Sequence, residues 1–548
     1  MLEGLVQHDH PLTLQHVLGR MRNVYGESQV VTLTEDGTER ATYAEVCERV
    51  DRLANALKSL GVEPGDRVAT FAWNTQRHLE VYLAAPCIGA VLHTLNLRLF
   101  EEQLVYIANH AKDKLVFVDS TVVPLMEKVA DKFETVEHFI VMGDGDPGGL
   151  PNVLDYEELM ADQPASFDYP EVDDRAAAGL CYTSGTTGNP KGVLYSHRSQ
   201  ILHSFGTCLS DAMGLREADR VLPIVPMFHA NSWGIPYAAG LTGCDLIMPA
   251  KFLQAEPLAK LIAEEKVTVS AAVPTIWMDL LRYADEHSDA DLSSLRTVIC
   301  GGAAVPLSLM KQFEERHGVH IVQAWGMTEM SPLGTVARPP GDVADDSDEH
   351  WQFRDRAGRL MPLVEARLMN DDGSEAPWDG SSTGELQVRG PWIASAYYED
   401  PSGDDKFDDG WLRTGDIASI DSRGFVRITD RSKDVIKSGG EWISSVELEG
   451  ELMAHPEVDE AAVIARPDER WTERPLACVV LSDGASATPE ELTEHLKQRV
   501  AKWWLPEEFA FIDEVPKTSV GKFDKKVLRQ RLADGELDTK PVGEKVSG

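Results

Sequence analysis

Long hydrophobic runs are scarce in this 548-residue chain. The longest, at 81–92, contains Pro86 and falls short of the roughly 20 apolar residues that a membrane helix needs. No transmembrane segment is therefore expected. The first ten residues, Met-Leu-Glu-Gly-Leu-Val-Gln-His-Asp-His, lack both the basic start and the apolar core of a secretory signal. Cysteine is sparse and unpaired: Cys47, Cys87, Cys181, Cys208, Cys244, Cys300 and Cys478 stand singly, with no Cys-x-x-Cys. That excludes a disulfide framework and a zinc site of the usual spacing. It predicts buried free thiols in a reducing, cytoplasmic setting. Positive charge is also short. Lys and Arg number 52 against 90 Asp and Glu, a formal net charge of −38, which repels nucleic acid and anionic membrane surfaces. Internal repeats are absent as well.

What is present is an ordinary globular composition, 43% hydrophobic and 26% charged. The chain is too long for one core, and roughly two to four folding units are expected. Apolar runs at 66–73, 114–119, 138–142, 178–182, 267–274 and 295–302 predict buried strands, and 43–60 and 257–265 carry helical spacing. This alternation predicts a doubly wound α/β architecture. From about 360 to 429 short strands with Gly/Asp turns predict a small β-barrel or distorted sheet. The boundary is expected near Asp430, where Arg431-Ser432-Lys433-Asp434 forms a polar run suited to a hinge. An N-terminal domain of 1–429 and a mobile α+β C-terminal domain of 430–548 follow. In the latter, Thr488, Pro489 and Glu491 spell a capped helix start, and the tail from Ala533 is expected to fray.

Residues 182–192 read Tyr-Thr-Ser-Gly-Thr-Thr-Gly-Asn-Pro-Lys-Gly, leaving the apolar run Ala178 to Cys181. Glycines let backbone N–H groups approach an anion, and hydroxyls and Lys191 donate to it. The string is a phosphate-holding loop in character. It lacks the Gly-Lys-hydroxyl ending of a Walker loop.

The loop resembles the signature of the adenylate-forming superfamily, and six further segments resemble that superfamily in the same order. They are Val225-Pro226-Met227-Phe228-His229-Ala230-Asn231, Gly301 through Pro306, Gln323-Ala324-Trp325-Gly326-Met327-Thr328-Glu329, Trp411 through Asp416, Asp430 through Ser444, and Pro516 through Lys522. The whole is most similar to bacterial medium- and long-chain fatty acyl-CoA synthetases. The hinge region there reads like Lys437-Ser438-Gly439-Gly440-Glu441-Trp442-Ile443-Ser444.

The resemblance implies a reaction: a fatty acid and ATP give acyl-adenylate and pyrophosphate, and coenzyme A then takes the acyl group. It also implies roles. Thr183, Ser184, Gly185, Thr186, Thr187, Gly188 and Lys191 would hold ATP, with Thr186, Thr187 and Lys191 on the β- and γ-phosphates. Thr183 and Glu329 would contact Mg²⁺, a hard cation suited to oxygen ligands. Gly301, Gln323, Ala324, Trp325 and Gly326 would line the nucleotide, Thr328 the α-phosphate, and Asp416 both ribose hydroxyls. Ala230, Trp233 and Gly302 would border the acyl group, with Trp233 as a gate and His229 beside the carboxylate and thiol path. Lys522 would bridge carboxylate and α-phosphate. The C-terminal domain would then swing about Asp430, bringing Arg431, Lys433, Lys437, Gly439, Gly440 and Trp442 toward nucleotide or CoA. A homodimer is compatible with the resemblance.

Taken singly, several of these residues have plainer readings. Glu329 is then a helix-start residue, Asp416 after Gly415 a turn residue, and His229 and Trp233 packed core. The superfamily usually has Tyr-Gly where this chain has Trp325-Gly326, a change that keeps an aromatic face for adenine. Other assignments share the same motifs: a ligase for an aryl, short branched or methylthio acid, or an enzyme loading a carrier protein. The chain carries no Gly-x-Asp-Ser attachment site of its own. A non-enzymatic nucleotide binder fits least, since Lys522, Glu329 and Asp416 are all present.

The acid excess has two readings: adaptation to a high-salt cytoplasm, where screening cancels self-repulsion, or an acidic protein of ordinary surroundings. On the first, melting temperature and activity rise from low to molar KCl. Full stability at low salt would select the second.

Overall fold

The computed structural model describes all residues except 1, 3, 8, 184–188, 346, 371, 432–433, 439–440, 469, 519–522 and 544–548. For 402–404, 431, 437 and 441–442 it describes the backbone alone. Among the described residues the strands form three sheets, of 14, seven and six strands.

The apolar runs become strands because each fills a buried slot. Arg67–Phe71, Val91–Thr94, Asp113–Asp119, His138–Met142 and Val153–Asp155 run parallel, and Ala177–Tyr182 joins them beside Val91–Thr94. Gly192–Ser196 closes that edge antiparallel. In the large sheet, Gln29–Thr34, Asp245–Met248, Arg220–Pro223, Val269–Ala272, Thr297–Gly301 and Ile321–Gly326 are also parallel. The expected strand at 267–274 is shorter than its apolar run. Pro274 has the φ of a first helical turn and starts the helix Pro274–Glu286.

Helices Tyr43–Ser59, Gln76–Cys87, His197–Cys208 and Ile235–Thr242 fill the space between the two sheets. One core cluster accordingly joins Leu92 and Leu115 of one sheet to Val221 and Leu246 of the other, through Val50, Leu79, Ile201 and Tyr237. Thr42 and Glu45 cap the first of these helices reciprocally, and Thr488 and Glu491 do the same for Pro489–Lys497, as expected.

One expectation is corrected and one is narrowed. Of the β-barrel or distorted sheet expected from about 360 to 429, the pairing of the described strands gives the sheet. Gly358–Leu360 pairs with Leu333–Val336 on one side and with Phe425–Arg431 on the other, so these strands extend the large sheet antiparallel. The tail also holds structure beyond Ala533. Thr539–Pro541 pairs along Glu508–Phe511 as an edge strand, and Val542 N–H donates to Glu507 O at 2.9 Å. A three-residue edge strand needs backbone partners more than apolar side chains, which explains its polar sequence.

Strand Phe425–Arg431 ends the large sheet, and the next strand, Ile436–Ser438, belongs to the six-stranded sheet. Six cysteines are buried, Cys208 is half-buried, and all seven are free thiols. Among the described residues no helix is long and apolar enough to cross a membrane.

Candidate active site

The strands that flank the Gly/Thr-rich segment pair with each other. Ala177–Tyr182 and Gly192–Ser196 pair antiparallel with Tyr182 opposite Gly192. Two bonds tie the neck: Thr183 N–H donates to Lys191 O (2.9 Å), and Lys191 N–H to Thr183 Oγ1 (3.1 Å). Ser184, Gly185, Thr186, Thr187 and Gly188 lie outside the described residues.

From that neck a chain of contacts leads to Glu329. Lys191 Nζ lies 3.5 Å from the Asp400 carboxylate and 4.9 Å from the centre of the Tyr397 ring. The Tyr397 hydroxyl donates to Glu329 Oε1 at 2.6 Å, and Glu329 is only 6% exposed. Burial, and after it the Glu329 carboxylate, hold the Tyr397 phenol well above its ordinary pKa, so it stays a donor. Main chain reinforces the bridge, with Tyr398 N–H on Gly192 O (2.8 Å) and Ala394 N–H on Glu329 O (2.7 Å). On the other side the Tyr195 hydroxyl donates to Thr328 O at 2.6 Å. Segment 394–400 thus ties the neck at Lys191 and Gly192 to Glu329, and Tyr195 holds Thr328. Tyr195, Tyr397 and Asp400 are site residues that the sequence reading missed. The only signal was the run Tyr397-Tyr398-Glu399-Asp400, an aromatic pair followed by two acids.

Strand Ile321–Gly326 supplies the second wall. The Trp325 indole N–H donates to Asp416 Oδ2 at 2.9 Å, and Asp416 is 1% exposed. Gly301 pairs with Ala324 in register, and a Cβ on Gly301 would stand 2.6 Å from Ala324 O and 3.4 Å from Trp233 Cη2. Gly326 is equally constrained, because a Cβ there would collide with Pro332 O. The Gln323 side chain is engaged with protein. It accepts from Val305 N–H (2.6 Å) and donates to Arg356 O (2.7 Å), fixing the turn that begins at Gly302.

The acyl-side segment has unusual backbone. Ala230, Asn231, Ser232 and Trp233 have φ of 43°, 50°, 50° and 55°, four successive non-glycine residues in the left-handed region. Each costs about 1–2 kcal/mol, so the turn persists only where side chains hold it. Ser232 Oγ donates to Val225 O (2.7 Å) and Cys181 Sγ to Asn231 Oδ1 (3.1 Å). His229 is half-buried at the start of this turn, and Trp233 is half-buried with its ring over Gly301. Behind them His203 accepts from Leu333 N–H at 3.2 Å, and burial lowers its pKa to about 3, leaving it neutral.

Asp416 stands directly opposite Arg431 in the strand pair, and Ile417 opposite Asp430. The ribose candidate and the crossing between sheets are therefore neighbours. The Asp430 carboxylate accepts from Ser445 N–H (2.7 Å) and Ser445 O–H (2.5 Å). Lys437 pairs with Trp442 in a short hairpin of the second sheet. Lys433, Gly439, Gly440 and Lys522 lie outside the described residues, as do the side chains of Arg431, Lys437 and Trp442. The base of the loop that bears Lys522 is described. Lys517 and Phe523 form a bridge, and Asp524 N–H donates to Pro516 O at 2.7 Å.

Comparison with known proteins agrees with this geometry. The family model described as AMP-binding enzyme matches residues 22–398, and that of the AMP-binding enzyme C-terminal domain matches 447–522. The chain is 43% identical over 529 residues to the 3-methylmercaptopropionyl-CoA ligase of Ruegeria pomeroyi, covering 96% of this chain and 98% of that one. It is 46% identical over 528 residues to the long-chain-fatty-acid–CoA ligase of Thermus thermophilus, covering 95% and 96%. Among solved structures, the anthranilate CoA ligase AuaEII in complex with anthranoyl-AMP superposes with a TM-score of 0.86 at 27% identity, covering 96% of this chain and 99% of that one. ATP-bound MatB from Rhodopseudomonas palustris gives 0.82 at 27%, with the same coverage. With the family model matched over 22–398 and these relatives matched along at least 95% of the chain, the chain belongs to the AMP-binding enzyme family.

Proposed function

We infer that this enzyme is an ATP-dependent carboxylate–CoA ligase acting on a medium- or long-chain fatty acid, through an acyl-adenylate, to give acyl-CoA, AMP and pyrophosphate. The observation that carries this reading is the likeness to acid–CoA ligases along at least 93% of the chain. One of these relatives is the medium-chain-fatty-acid–CoA ligase of Ectopseudomonas oleovorans, 43% identical.

The residues divide the work by charge. A carboxylate attacking the α-phosphate brings two anions together, so cations and hydrogen-bond donors must meet the developing charge. Lys191 is the loop's cation, and it turns from Asp400 to the β- and γ-phosphates alongside Thr186 and Thr187. Asp416 takes the ribose hydroxyls, its carboxylate oriented by Trp325, whose ring face stacks on adenine. The Thr328 hydroxyl meets the α-phosphate. Glu329 and Thr183 would hold Mg²⁺. Mg²⁺ takes few carboxylates and completes its shell with water and substrate phosphates. When bound, Mg²⁺ offsets phosphate charge. Lys522 bridges the acid and the α-phosphate, and leaves when the C-terminal domain turns about Asp430. Lys433, Lys437, Gly439, Gly440 and Trp442 then approach the thioester step.

A second reading is favoured by one observation. A relative at 43% identity over nearly its whole length is named for 3-methylmercaptopropionate. A short thioether acid is then the substrate, with the same adenylate chemistry.

Three outcomes are expected. Lys522→Ala lowers acyl-adenylate formation on the order of 10²–10³-fold and leaves thioester formation from preformed acyl-adenylate largely intact; equal loss in both half-reactions would remove Lys522 from adenylation. Tyr397→Phe leaves Glu329 without its hydroxyl donor, worth about 1.5–3 kcal/mol for a charged acceptor. It should change the Mg²⁺ concentration for half-maximal pyrophosphate release several-fold, whereas an unchanged Mg²⁺ titration separates Glu329 from the metal. Across acids of two to eighteen carbons, kcat/KM rises steeply as each buried methylene adds about 0.8 kcal/mol, and Trp233→Ala flattens that rise. A peak at 3-methylmercaptopropionate with little use of octanoate selects the second reading.

A further inference from the structure

Asp430 is attached to both parts of the molecule. Its backbone belongs to the large sheet, opposite Ile417. Its carboxylate is held by Ser445, the first residue of helix Ser445–Met453 beside the second sheet. Ser445 is itself held from a third element. Lys525 Nζ, at the start of helix Lys525–Ala533, donates to Ser445 Oγ (2.5 Å), and the Ser445 hydroxyl donates onward to Asp430 Oδ2 (2.5 Å). Lys525 also pairs with Glu449 at 2.7 Å, and Glu449 Oε1 accepts from Val463 N–H at 2.7 Å.

This cluster is buried. Asp430 is 1% exposed, Ser445 0% and Glu449 7%, and the Lys525 side chain is 11% exposed. Glu449 pairs with the ammonium directly and Asp430 reaches it through the Ser445 hydroxyl, so removing the ammonium takes the charge partner from a buried acid. Burial opposes the Lys525 charge, and Glu449 and Asp430 outweigh it, keeping its pKa above the ordinary value. Burial drives Glu449 up to about 7 against the pull of the lysine. One turn along the same helix, Arg529 pairs with Asp434 at 2.5 Å, on the far side of the crossing segment. A single helix therefore grips the crossing at both ends. Lys525 follows the neck formed by Lys517, Phe523 and Asp524, which closes the loop bearing Lys522.

We propose that Lys525 is a positioning residue, which couples the loop bearing Lys522 to the crossing at Asp430 through Ser445, and so sets where Lys522 stands when the acid is adenylated. The proposal rests on the adenylate-forming reading above. No contact of Lys525 with substrate is invoked; it acts through Ser445 and Asp430.

The test uses the full-length enzyme and measures each half-reaction separately, with octanoate and 3-methylmercaptopropionate as probe acids. Adenylation is read as pyrophosphate release without CoA, and thioester formation is read from preformed acyl-adenylate. Lys525→Met should lower adenylation about 10–10²-fold, the scale of a misplacement near 1 Å, and change thioester formation less than about 3-fold. That retained half-reaction also reports that the variant is folded. Lys525→Arg, which keeps the cation, should recover most of the loss. Equal loss in both half-reactions, a loss matched by a fall in Tm and not recovered by arginine, or no loss at all would each overturn the proposal. Lys522→Ala is the control for the underlying reading. If it too affects both half-reactions equally, the adenylation role of Lys522 fails; if it discriminates and Lys525→Met does not, only the coupling fails.

Discussion

The continuity of the large sheet is the constraint on which the site depends. Its parallel half ends at Ile321–Gly326, and the chain then turns back through Leu333–Val336 and Gly358–Leu360 to strands Phe425–Arg431 and Trp411–Ile420. A carboxylate on Asp416 is thereby brought within a hydrogen bond of an indole on Trp325, 91 residues earlier. Had the later strands formed a barrel apart, Asp416 would have no fixed relation to the strand carrying Gln323 through Gly326. The same strand register sets Arg431 opposite Asp416, so the crossing to the second domain starts beside the Trp325–Asp416 pair.

Around this frame the protein holds its charged residues in pairs that are already made. Lys191 rests against Asp400, Glu329 is held by Tyr397, and Lys525 lies between Glu449 and Asp430. In a chain with net charge −38 acids are at hand to partner each of these cations, and an unpaired buried charge is costly. The left-handed turn from Ala230 to Trp233 stores strain of another kind at the acyl side, a common property of segments that must change shape.

Much of this was legible from residues alone. Apolar runs such as His138 to Met142 gave strands because a fully buried strand needs no polar alternation. Thr488 and Glu491 gave a helix start because capping is local. The strings around the loop, Glu329 and Asp416 pointed to the family that the comparisons show. What stayed hidden is tertiary. Tyr397 reaches Glu329 across 68 residues, and no local spacing announces it. Local pattern gave the strands of 358–431 but not which edges join, so a barrel and a distorted sheet were both open where the sheet runs on. The engagement of the Gln323 amide by Val305 and Arg356 likewise joins residues 18 and 33 positions away. Asp430 read as a hinge from its neighbours; its clasp by Ser445, 15 residues on, depends on the fold.

The central claim is that activation and thioester formation are separate steps joined by an enzyme-bound acyl-adenylate. A rapid-quench experiment tests it most directly: enzyme in stoichiometric excess over radiolabelled ATP, with octanoate and 3-methylmercaptopropionate in separate runs, and CoA added only after a delay. The account predicts that, with the substrate acid, pyrophosphate and acyl-AMP accumulate in equal amounts before CoA is present, and that acyl-AMP then disappears as acyl-CoA and AMP appear. Release of pyrophosphate only after CoA is added, or formation of ADP in place of AMP, would contradict it.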